Sequence, residues 1–409
     1  MTAVSPDEVP RRRPRPGAWF TALKEALDRP LSSYYLLLTS SALLLTIGLI
    51  MVLSASSVWS FTTFDNSYYV VEHQLVWVAV GVPCALVASR ISQRWVRRLA
   101  WPAYLFSCVL LLATVFLGHS ENGNQNWLGV GALSIQPSEI AKLSLVLWGA
   151  HVYALKERRL RSLHEVLVPV VPGFVTATAL VLAGRDLGTA LVFFAILLGM
   201  LWVVGAPGRL FGLALSIIGV AVIFFIGTNP ERLGRINNFV DPFKDFHDAG
   251  WQPAHGLYAL SSGGLFGQGI GASQQKWGDL PEAHTDFIFA VLGEELGLVG
   301  TLLVVALFLT LAYACVKVAR QTKDPFARYL TFGVVVWLIG QMMINVGMVL
   351  TLLPVIGIPL PLVSYGGSAL LPSLVALGLV VGFARREPEA AAALAQRRKS
   401  RSAGVSAGR

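Results

Sequence analysis

The stretch Leu280-Pro281-Glu282-Ala283-His284-Thr285-Asp286-Phe287-Ile288-Phe289-Ala290 carries a polar loop directly into an apolar block, residues 286–316. Asp286 stands at the boundary, and Glu294 and Glu295 follow inside the apolar block. A block of this length is typical of a helix that crosses a bilayer, and a carboxylate at its rim is costly unless it faces water or a protein cavity. The stretch therefore predicts a transmembrane helix with a functional acid, Asp286, at its rim, while Glu294 and Glu295 are expected to bond neighbouring helices.

The rest of the chain repeats this apolar pattern. Its 409 residues are 55% hydrophobic and only 13% charged, whereas an average soluble domain is about 25% charged. Apolar blocks of about 20 residues have the length that a helix needs to cross the hydrocarbon core. The predicted fold is an all-α polytopic membrane protein with about ten transmembrane helices, at residues 33–56, 68–89, 99–117, 138–155, 166–184, 187–206, 210–228, 286–316, 329–351 and 366–384.

The distribution of basic residues predicts the orientation of these helices. With ten spans and a cytoplasmic N-terminus, 26 of the 32 Lys and Arg residues fall in the tails or in alternate loops on one side. Because basic residues concentrate on the cytoplasmic side, both termini are predicted to be cytoplasmic, and the net charge of +9 does not indicate a nucleic acid partner. Six basic residues remain on the outer side, where an anionic ligand or salt bridges to nearby acids would explain them: Lys142, Arg185, Arg232, Arg235, Lys244 and Lys276.

The chain divides into one membrane domain and two basic tails. Residues 1–31 and 385–409 have the composition of disordered cytoplasmic tails, and residues 32–384 form the ten-helix membrane domain. An extracytoplasmic loop between helices 7 and 8, residues 229–285, interrupts the domain. A loop of this length is usually functional or disordered. Its aromatic residues Trp251, Phe266 and Trp277, set among glycines, favour a packed loop with short helices.

Two helix starts on the outer side carry charged residues. Pro137 suits the first position of a helix, which places Glu139 and Lys142 on one face, one turn into the membrane. This pair either forms a polar cavity wall or is an ion pair that satisfies itself, and both readings stay open. Asp186, which follows Arg185, is either a site residue or an N-cap for the sixth span.

The region around Asp286 offers a general base. Partial burial at the rim raises the pKa of a carboxyl group and nearby cations lower it, so Asp286 is tunable for proton abstraction. The alternative is that Thr285 caps the helix and Asp286 complements the helix dipole.

Further along, Pro- and Gly-rich residues 353–361 and 364–368 break the helix before the last span. Irregular backbone at this depth is tolerated only where it is buried or lines a cavity.

Five motifs occur in a fixed order along the chain. They are Gln-Pro-Ser-Glu-x-x-Lys at 136–142, Asp-Leu-Gly-Thr at 186–189, Leu-Pro-Glu-Ala-His-Thr-Asp-Phe-Ile-Phe at 280–289, Gly-Glu-Glu-Leu-Gly at 293–297 and Pro-Leu-Val-Ser-Tyr-Gly-Gly-Ser at 361–368. From its first apolar block to about residue 384 the chain therefore resembles the SEDS family, the shape, elongation, division and sporulation proteins of bacteria. Arg185 departs from the family pattern, which usually has Pro before this Asp. The sequences of residues 282–286 and 121–127 are more similar to the division member than to the elongation member.

The resemblance implies a peptidoglycan glycosyltransferase that polymerises lipid II on the outer face of the plasma membrane, at the division septum. It implies Asp286 as the general base. The implied partners are lipid II and the growing glycan chain, a class B penicillin-binding protein that acts as transpeptidase, and other membrane proteins of the divisome. Taken with the outer-side residues above, the expected substrate-binding residues are Trp127, Glu139, Lys142, Asp186, Arg235, Gln252, Lys276, His284 and Ser364.

The leaving group of such a transfer would be a polyprenyl pyrophosphate. Its charge calls for Lys142, Arg235 or Lys276 and for a divalent cation, Mg²⁺ or Mn²⁺, held through the phosphates. The metal site itself stays unknown, and no organic cofactor is expected.

Two other functions remain open. A lipid II flippase would need a polar route open to each side in turn, and the inner loops here are short and merely basic. A non-catalytic division scaffold would leave the outer polar residues without a purpose.

Overall fold

A computed structural model of the chain describes residue 25 and residues 27–121, 124–130, 133–227, 242–244, 250–278 and 280–396. Helices dominate this part, because long apolar segments in a bilayer must bond their main-chain groups internally. The helices are α1 (Ser32–Phe64), α2 (Tyr69–Arg90), α3 (Gln93–Leu117), α4 (Pro137–Lys156), α5 (Leu163–Leu167), α6 (Val170–Ala183), α7 (Leu187–Val203), α8 (Gly208–Gly227), α9 (Trp251–Ser262), α10 (Ile288–Gln321), α11 (Pro325–Val349) and α12 (Gly367–Arg386).

The segment between α3 and α4 forms a small antiparallel sheet, which the expectation of a purely α-helical chain did not include. Strands β1 (His119–Glu121), β2 (Asn124–Val130) and β3 (Leu133–Ile135) pair in that order. His119 pairs with Trp127, and Leu128 pairs with Ile135. Outside a bilayer the main-chain groups of such a short sheet can bond to each other and to water. The apolar pattern that predicts transmembrane helices does not predict strands of this kind.

The multi-pass membrane character predicted from the sequence is confirmed. Among the described residues, seven helices are long and apolar enough to cross a membrane, and they are α1, α2, α3, the α5–α6 pair, α10, α11 and α12. Helices α7 and α8 are apolar but have shorter apolar stretches. Helix α4 carries charged residues within its first two turns and is nevertheless largely buried. A helix exists at each of the ten predicted blocks.

Helix α4 occupies the interior of the bundle. It packs against α3, α11 and α12, and α11 in turn packs against α7 and α10. Helix α10 also lies along α1, and α12 lies along α2. The charged first turns of α4 are therefore enclosed by protein rather than by lipid.

Helix α10 is interrupted near its N-terminal end. Gly297 has φ 67° and ψ −166°, values outside the helical region that favour glycine. The loop after α9 fills the break, since the N–H groups of Leu298 and Val299 bond to the carbonyls of Gly264 and Leu265. The loop before α10 is thus packed against the bundle within residues 250–278, as predicted. Main-chain contacts hold it there, whereas two of the three aromatic residues that suggested the packing, Phe266 and Trp277, are 81% and 70% exposed.

The tails differ in part from the expectation of disorder. Helix α12 runs through Arg386, and residues 388–396 are also helical. This segment begins with Pro388 and is rich in Ala, which favours helix once a first turn is fixed. The predicted tails at residues 1–24 and 397–409, and the loop residue Arg235, lie outside the described residues.

Candidate active site

Asp286 lies in a turn directly before α10. The N–H groups of Thr285 and Phe287 both bond to the carbonyl of Glu282, which has a left-handed φ of 56°. Helix α10 starts at Ile288 with Phe287 as its N-cap residue, and within the described chain no side chain caps this end. The alternative reading, in which Thr285 caps the helix, is therefore wrong, because the Thr285 hydroxyl bonds instead to Glu282 at 2.5 Å. Asp286 itself is buried, with 6% of the residue exposed.

The main chain of Asp286 is anchored by a buried amide from α11. Nδ2 of Asn345 donates to the carbonyl oxygen of Asp286 and to that of Ile358, both at 2.7 Å. Asn345 is fully buried. One side chain thus fixes the Asp286 turn to the irregular stretch before the last helix, residues 353–361, which we call the central segment.

Glu139 and Lys142 form a buried ion pair near the start of α4. The Lys142 Nζ lies 2.7 Å from Glu139 Oε1 and 3.1 Å from Oε1 of Gln341, another α11 residue. Gln341 also accepts from the indole of Trp337 at 2.9 Å and donates to the carbonyl of Pro359 at 3.0 Å. The second Glu139 oxygen, Oε2, is buried and has no hydrogen-bond partner among the described residues. The ion pair is consequently only half satisfied by the protein.

Gln341 and Asn345 stand one turn apart on α11, so their side chains share a face and are offset by about 6 Å along the helix. One reaches Lys142 and Pro359, and the other reaches Asp286 and Ile358. This face of α11 therefore brings the Glu139–Lys142 pair and Asp286 to adjacent positions on the central segment.

Asp186 lies against the same segment through its helix. It is the N-cap of α7, accepting from the Thr189 N–H at 2.9 Å and the Thr189 hydroxyl at 2.8 Å, and it also accepts from Asn126 at 3.2 Å. These contacts agree with the alternative in which Asp186 is the N-cap of this span. Gly188 packs so tightly that a β-carbon there would lie 2.7 Å from the carbonyl oxygen of Ile356. Asp186, Asn126 and Ser138 also line a narrow cleft of only about 10 Å³ beside the strands.

Lys276 is held in a different group of contacts. Its Nζ lies 3.1 Å from Glu295 Oε1, 3.0 Å from the Ser54 hydroxyl and 2.6 Å from the Gly271 carbonyl. Glu294 accepts from the Ser273 hydroxyl at 2.5 Å and from the main-chain N–H of Gln274 at 2.9 Å. The amine that the sequence suggested for substrate is thus occupied in tying the loop after α9 to α1 and α10.

The remaining expected site residues lie around the Asp286 turn and the sheet. His284 stacks on Trp59 with ring centroids 5.1 Å apart, and burial lowers its pKa below the ordinary value, against a smaller raising effect of Glu282. The Ser364 hydroxyl accepts from the N–H of Leu360 at 2.8 Å, closing the turn after the central segment. Gln252 donates to the carbonyl of Pro281 at 3.3 Å. Trp127 is half-buried in β2, and Arg235 is outside the described residues.

No group of three or more His, Cys, Asp and Glu side chains that could hold a metal ion occurs in the described part of the chain. Mg²⁺ in phosphate-transfer sites is commonly bound through one or two carboxylates plus substrate phosphates. Asp286 and the free oxygen of Glu139 offer carboxylates of that kind. Two carboxylates of this kind suit a cation that binds together with the phosphates of a substrate. They suit a metal ion held by protein side chains alone less well.

Sequence reasoning did not single out Gln341 and Asn345. Both are polar residues within an apolar span, and their spacing of four puts them on one helix face. Polar side chains inside transmembrane helices face the bundle interior and mark functional or structural contacts. That signal was available in the sequence of the ninth predicted span.

Comparison with protein families finds a match over residues 34–389 to the FtsW, RodA and SpoVE family, described as "Cell cycle protein". A protein of Mycobacterium tuberculosis named probable peptidoglycan glycosyltransferase FtsW is 40% identical over 386 residues, covering 94% of this chain and 72% of that protein. The stage V sporulation protein E of Bacillus subtilis is 37% identical over 354 residues, covering 86% of this chain and 96% of that protein.

Two solved structures have the same fold. A chain from the structure entitled "Structural coordination of polymerization and crosslinking by a peptidoglycan synthase complex" matches with a TM-score of 0.70 and 28% identity, covering 86% of this chain and 97% of that chain. The rod shape determining protein RodA of Thermus thermophilus matches with a TM-score of 0.65 and 27% identity, covering 86% of this chain and 96% of that chain.

Proposed function

This chain belongs to the FtsW, RodA and SpoVE family of cell cycle proteins, the SEDS family, and we propose that it is a peptidoglycan glycosyltransferase that polymerises lipid II into glycan strands. Relatives named as this enzyme are 34–40% identical over most of the chain. The observation that carries the proposal is the convergence of Asp286 and the buried Glu139–Lys142 pair on the central segment through one face of α11.

Asp286 acts as the general base in this proposal. It removes the proton from the 4-hydroxyl of the acceptor sugar, and the oxygen attacks the anomeric carbon of the donor with inversion. The bond from that carbon to the polyprenyl pyrophosphate breaks, and the pyrophosphate leaves with the electron pair. Asp286 suits this role because Asn345 fixes its main-chain carbonyl, and because the residue is only 6% exposed, which limits the access of competing water.

Lys142 and Arg235 are proposed to stabilise the pyrophosphate charge. Lys142 already has a carboxylate partner in Glu139, so the pair approaches neutrality and binds an anion best when a further cation is present. A divalent cation, Mg²⁺ or Mn²⁺, held by substrate phosphates and by Asp286 or Glu139, would supply that charge. Lys276 is assigned instead to the structural ion pair with Glu295.

The proposed topology has ten spans, both termini in the cytoplasm, and the loop of residues 229–285 outside. Helix α4 crosses the membrane despite its charges because α3, α11 and α12 enclose it. Helices α7 and α8 are the remaining two of the ten proposed spans. In this arrangement the Asp286 rim and the three strands face the outer side, where the cell wall is assembled. The basic ends of α2 and α12 face the cytoplasm.

A class B penicillin-binding protein is proposed as the transpeptidase partner, in keeping with the peptidoglycan synthase complex that one similar structure describes. The FtsW names among the relatives favour a role at the division septum with other divisome membrane proteins. The lipid substrate and the growing glycan chain are the remaining partners.

Polymerisation of purified lipid II tests the proposal directly. The full-length protein, alone and with a class B penicillin-binding protein, should form glycan strands, and Asp286→Asn should reduce the rate by about 10²–10⁴-fold while keeping its thermal unfolding profile. Movement of lipid II between leaflets without glycan product would indicate a flippase. Neither activity in the well-folded complex would indicate a scaffold.

A further inference from the structure

A second group of charged residues lies at the opposite, basic end of the bundle and has no part in the proposed reaction. A cavity of about 390 Å³ opens where α2 and α12 end and residues 388–396 turn back beside them. Its lining combines three arginines with small and apolar side chains: Arg90, Arg385, Arg386, Ala391, Leu394 and Ala395.

The three guanidinium groups are not neutralised by the described residues. The structure has four ion pairs in the described ranges, and none includes Arg90, Arg385 or Arg386. Arg386 donates to the main-chain carbonyl of Ile91, which leaves its charge in place. The neighbouring acids Glu387 and Glu389 are not among the residues that line the cavity. Three like charges around one cavity therefore call for an anion.

A second cavity at the same end of the bundle shows that this arrangement is not general there. Arg158 and Arg161 line it together with Glu157. Glu157 accepts hydrogen bonds from the guanidinium of Arg328 and from the hydroxyl of Tyr329. The two cavities at this end of the bundle thus differ, because the second has a carboxylate in its lining and the first has none.

We propose that the Arg90–Arg385–Arg386 cavity binds the phosphate headgroup of an anionic phospholipid. Guanidinium groups match phosphate oxygens with paired hydrogen bonds, and Leu394 and the two alanines provide an apolar contact for the glycerol and upper acyl chain. Basic pockets between helices on the cytoplasmic side are suited to such lipids because that leaflet is anionic. The proposal rests on the cytoplasmic position of these helix ends and is independent of the glycosyltransferase chemistry.

Native mass spectrometry of the full-length protein released from nanodiscs tests this site. The nanodiscs contain phosphatidylcholine with a minor fraction of phosphatidylglycerol, and the readout is the ratio of the two lipids retained. Arg385→Gln with Arg386→Gln should lower the retained phosphatidylglycerol by about tenfold. Arg90→Gln with Arg385→Gln should do the same while keeping the Arg386–Ile91 hydrogen bond. Arg158→Gln with Arg161→Gln, an equal charge loss at the second cavity, should retain the lipid as the unaltered protein does.

Each other outcome overturns the proposal. Equal losses in all three double variants would mean a general attraction of the basic face for anionic lipid. Stabilisation against heat by millimolar inorganic phosphate in pure phosphatidylcholine nanodiscs, without lipid retention, would mean a site for a free anion. Full retention by both variants of the first cavity, with unchanged unfolding temperatures, would exclude the site.

Discussion

The side-chain amide of Asn345 donates to the main-chain carbonyl of Asp286 over 2.7 Å and holds Ile358 at the same distance. The position of the candidate base thus depends on α11, the helix that also holds Lys142 through Gln341. Displacement of this helix would move both groups together.

Asn345→Ala should reduce glycan synthesis mainly through kcat. It leaves two buried carbonyls without their donor and frees the Asp286 turn, and a displacement of a reacting group by about 1 Å can cost about 10²-fold in rate. Initial rates over a range of lipid II concentrations would separate kcat from KM. Thr331→Ala is a matched control, because Thr331 is equally buried on α11 and its hydroxyl has no partner among the described residues. A normal kcat in Asn345→Ala would contradict the positioning role.

Exchange of the Glu139 and Lys142 charges distinguishes a substrate site from a structural pair. Each single charge removal should destabilise the protein by about 3–5 kcal/mol, since it leaves a buried charge unpaired. Glu139→Lys with Lys142→Glu should regain stability and yet remain inactive, because the cation beside Gln341 is then replaced by a carboxylate. Thermal unfolding and lipid II polymerisation of the same preparations give both readouts. Recovered activity would show that the pair serves folding alone.

Lys276→Met should destabilise the protein strongly because it leaves Glu295, which is 0% exposed, without its cation. Adding Glu295→Gln removes the unpaired charge and should restore most of the unfolding temperature and the glycan synthesis. If Lys276 instead contacts the pyrophosphate, the double variant will be stable but inactive. Detergent-solubilised protein is suitable for both measurements.

The half-buried imidazole of His284 should make stability depend on pH. Its pKa in the folded protein is lowered by burial, so between that value and the ordinary value of about 6.5 the unfolded chain binds more protons. The free energy of unfolding is therefore not reduced by His284 above pH of about 6.5, and it decreases as the pH falls from there toward the folded-state pKa. His284→Gln should show a smaller drop in unfolding temperature between pH of about 7.5 and 5. An identical drop in both proteins would rule out His284 as the titrating group.

The orientation of the chain is testable by thiol labelling. In a background lacking Cys84, Cys108 and Cys315, single cysteines at Asn124 and Asp245 should react with an impermeant reagent applied to intact protoplasts. Cysteines at Ser162 and Ser400 should react only after lysis. The reverse pattern would put Asp286 on the cytoplasmic side, where an outer-face polymerase could not work.

The sequence by itself determined the class of the protein, the approximate position of its helices and its family. Blocks of about 20 apolar residues have few alternatives in a bilayer, and the five ordered motifs are local patterns that can be read without knowing the fold. The position of Asp286 at the start of α10 is also local, because the polar loop ends within a few residues of it. The sheet of β1–β3 was missed, since short polar strands have no comparable signal.

Only the tertiary structure decided which charges share a site. Lys142 and Lys276 look alike in sequence, as outer-side lysines with acids nearby, yet one meets Gln341 and the other meets Ser54 and Glu295. Partners of this kind lie on other helices, up to 222 residues away along the chain. Their meeting depends on how helices pack, and packing is set by side-chain shape across the whole bundle rather than by any local spacing.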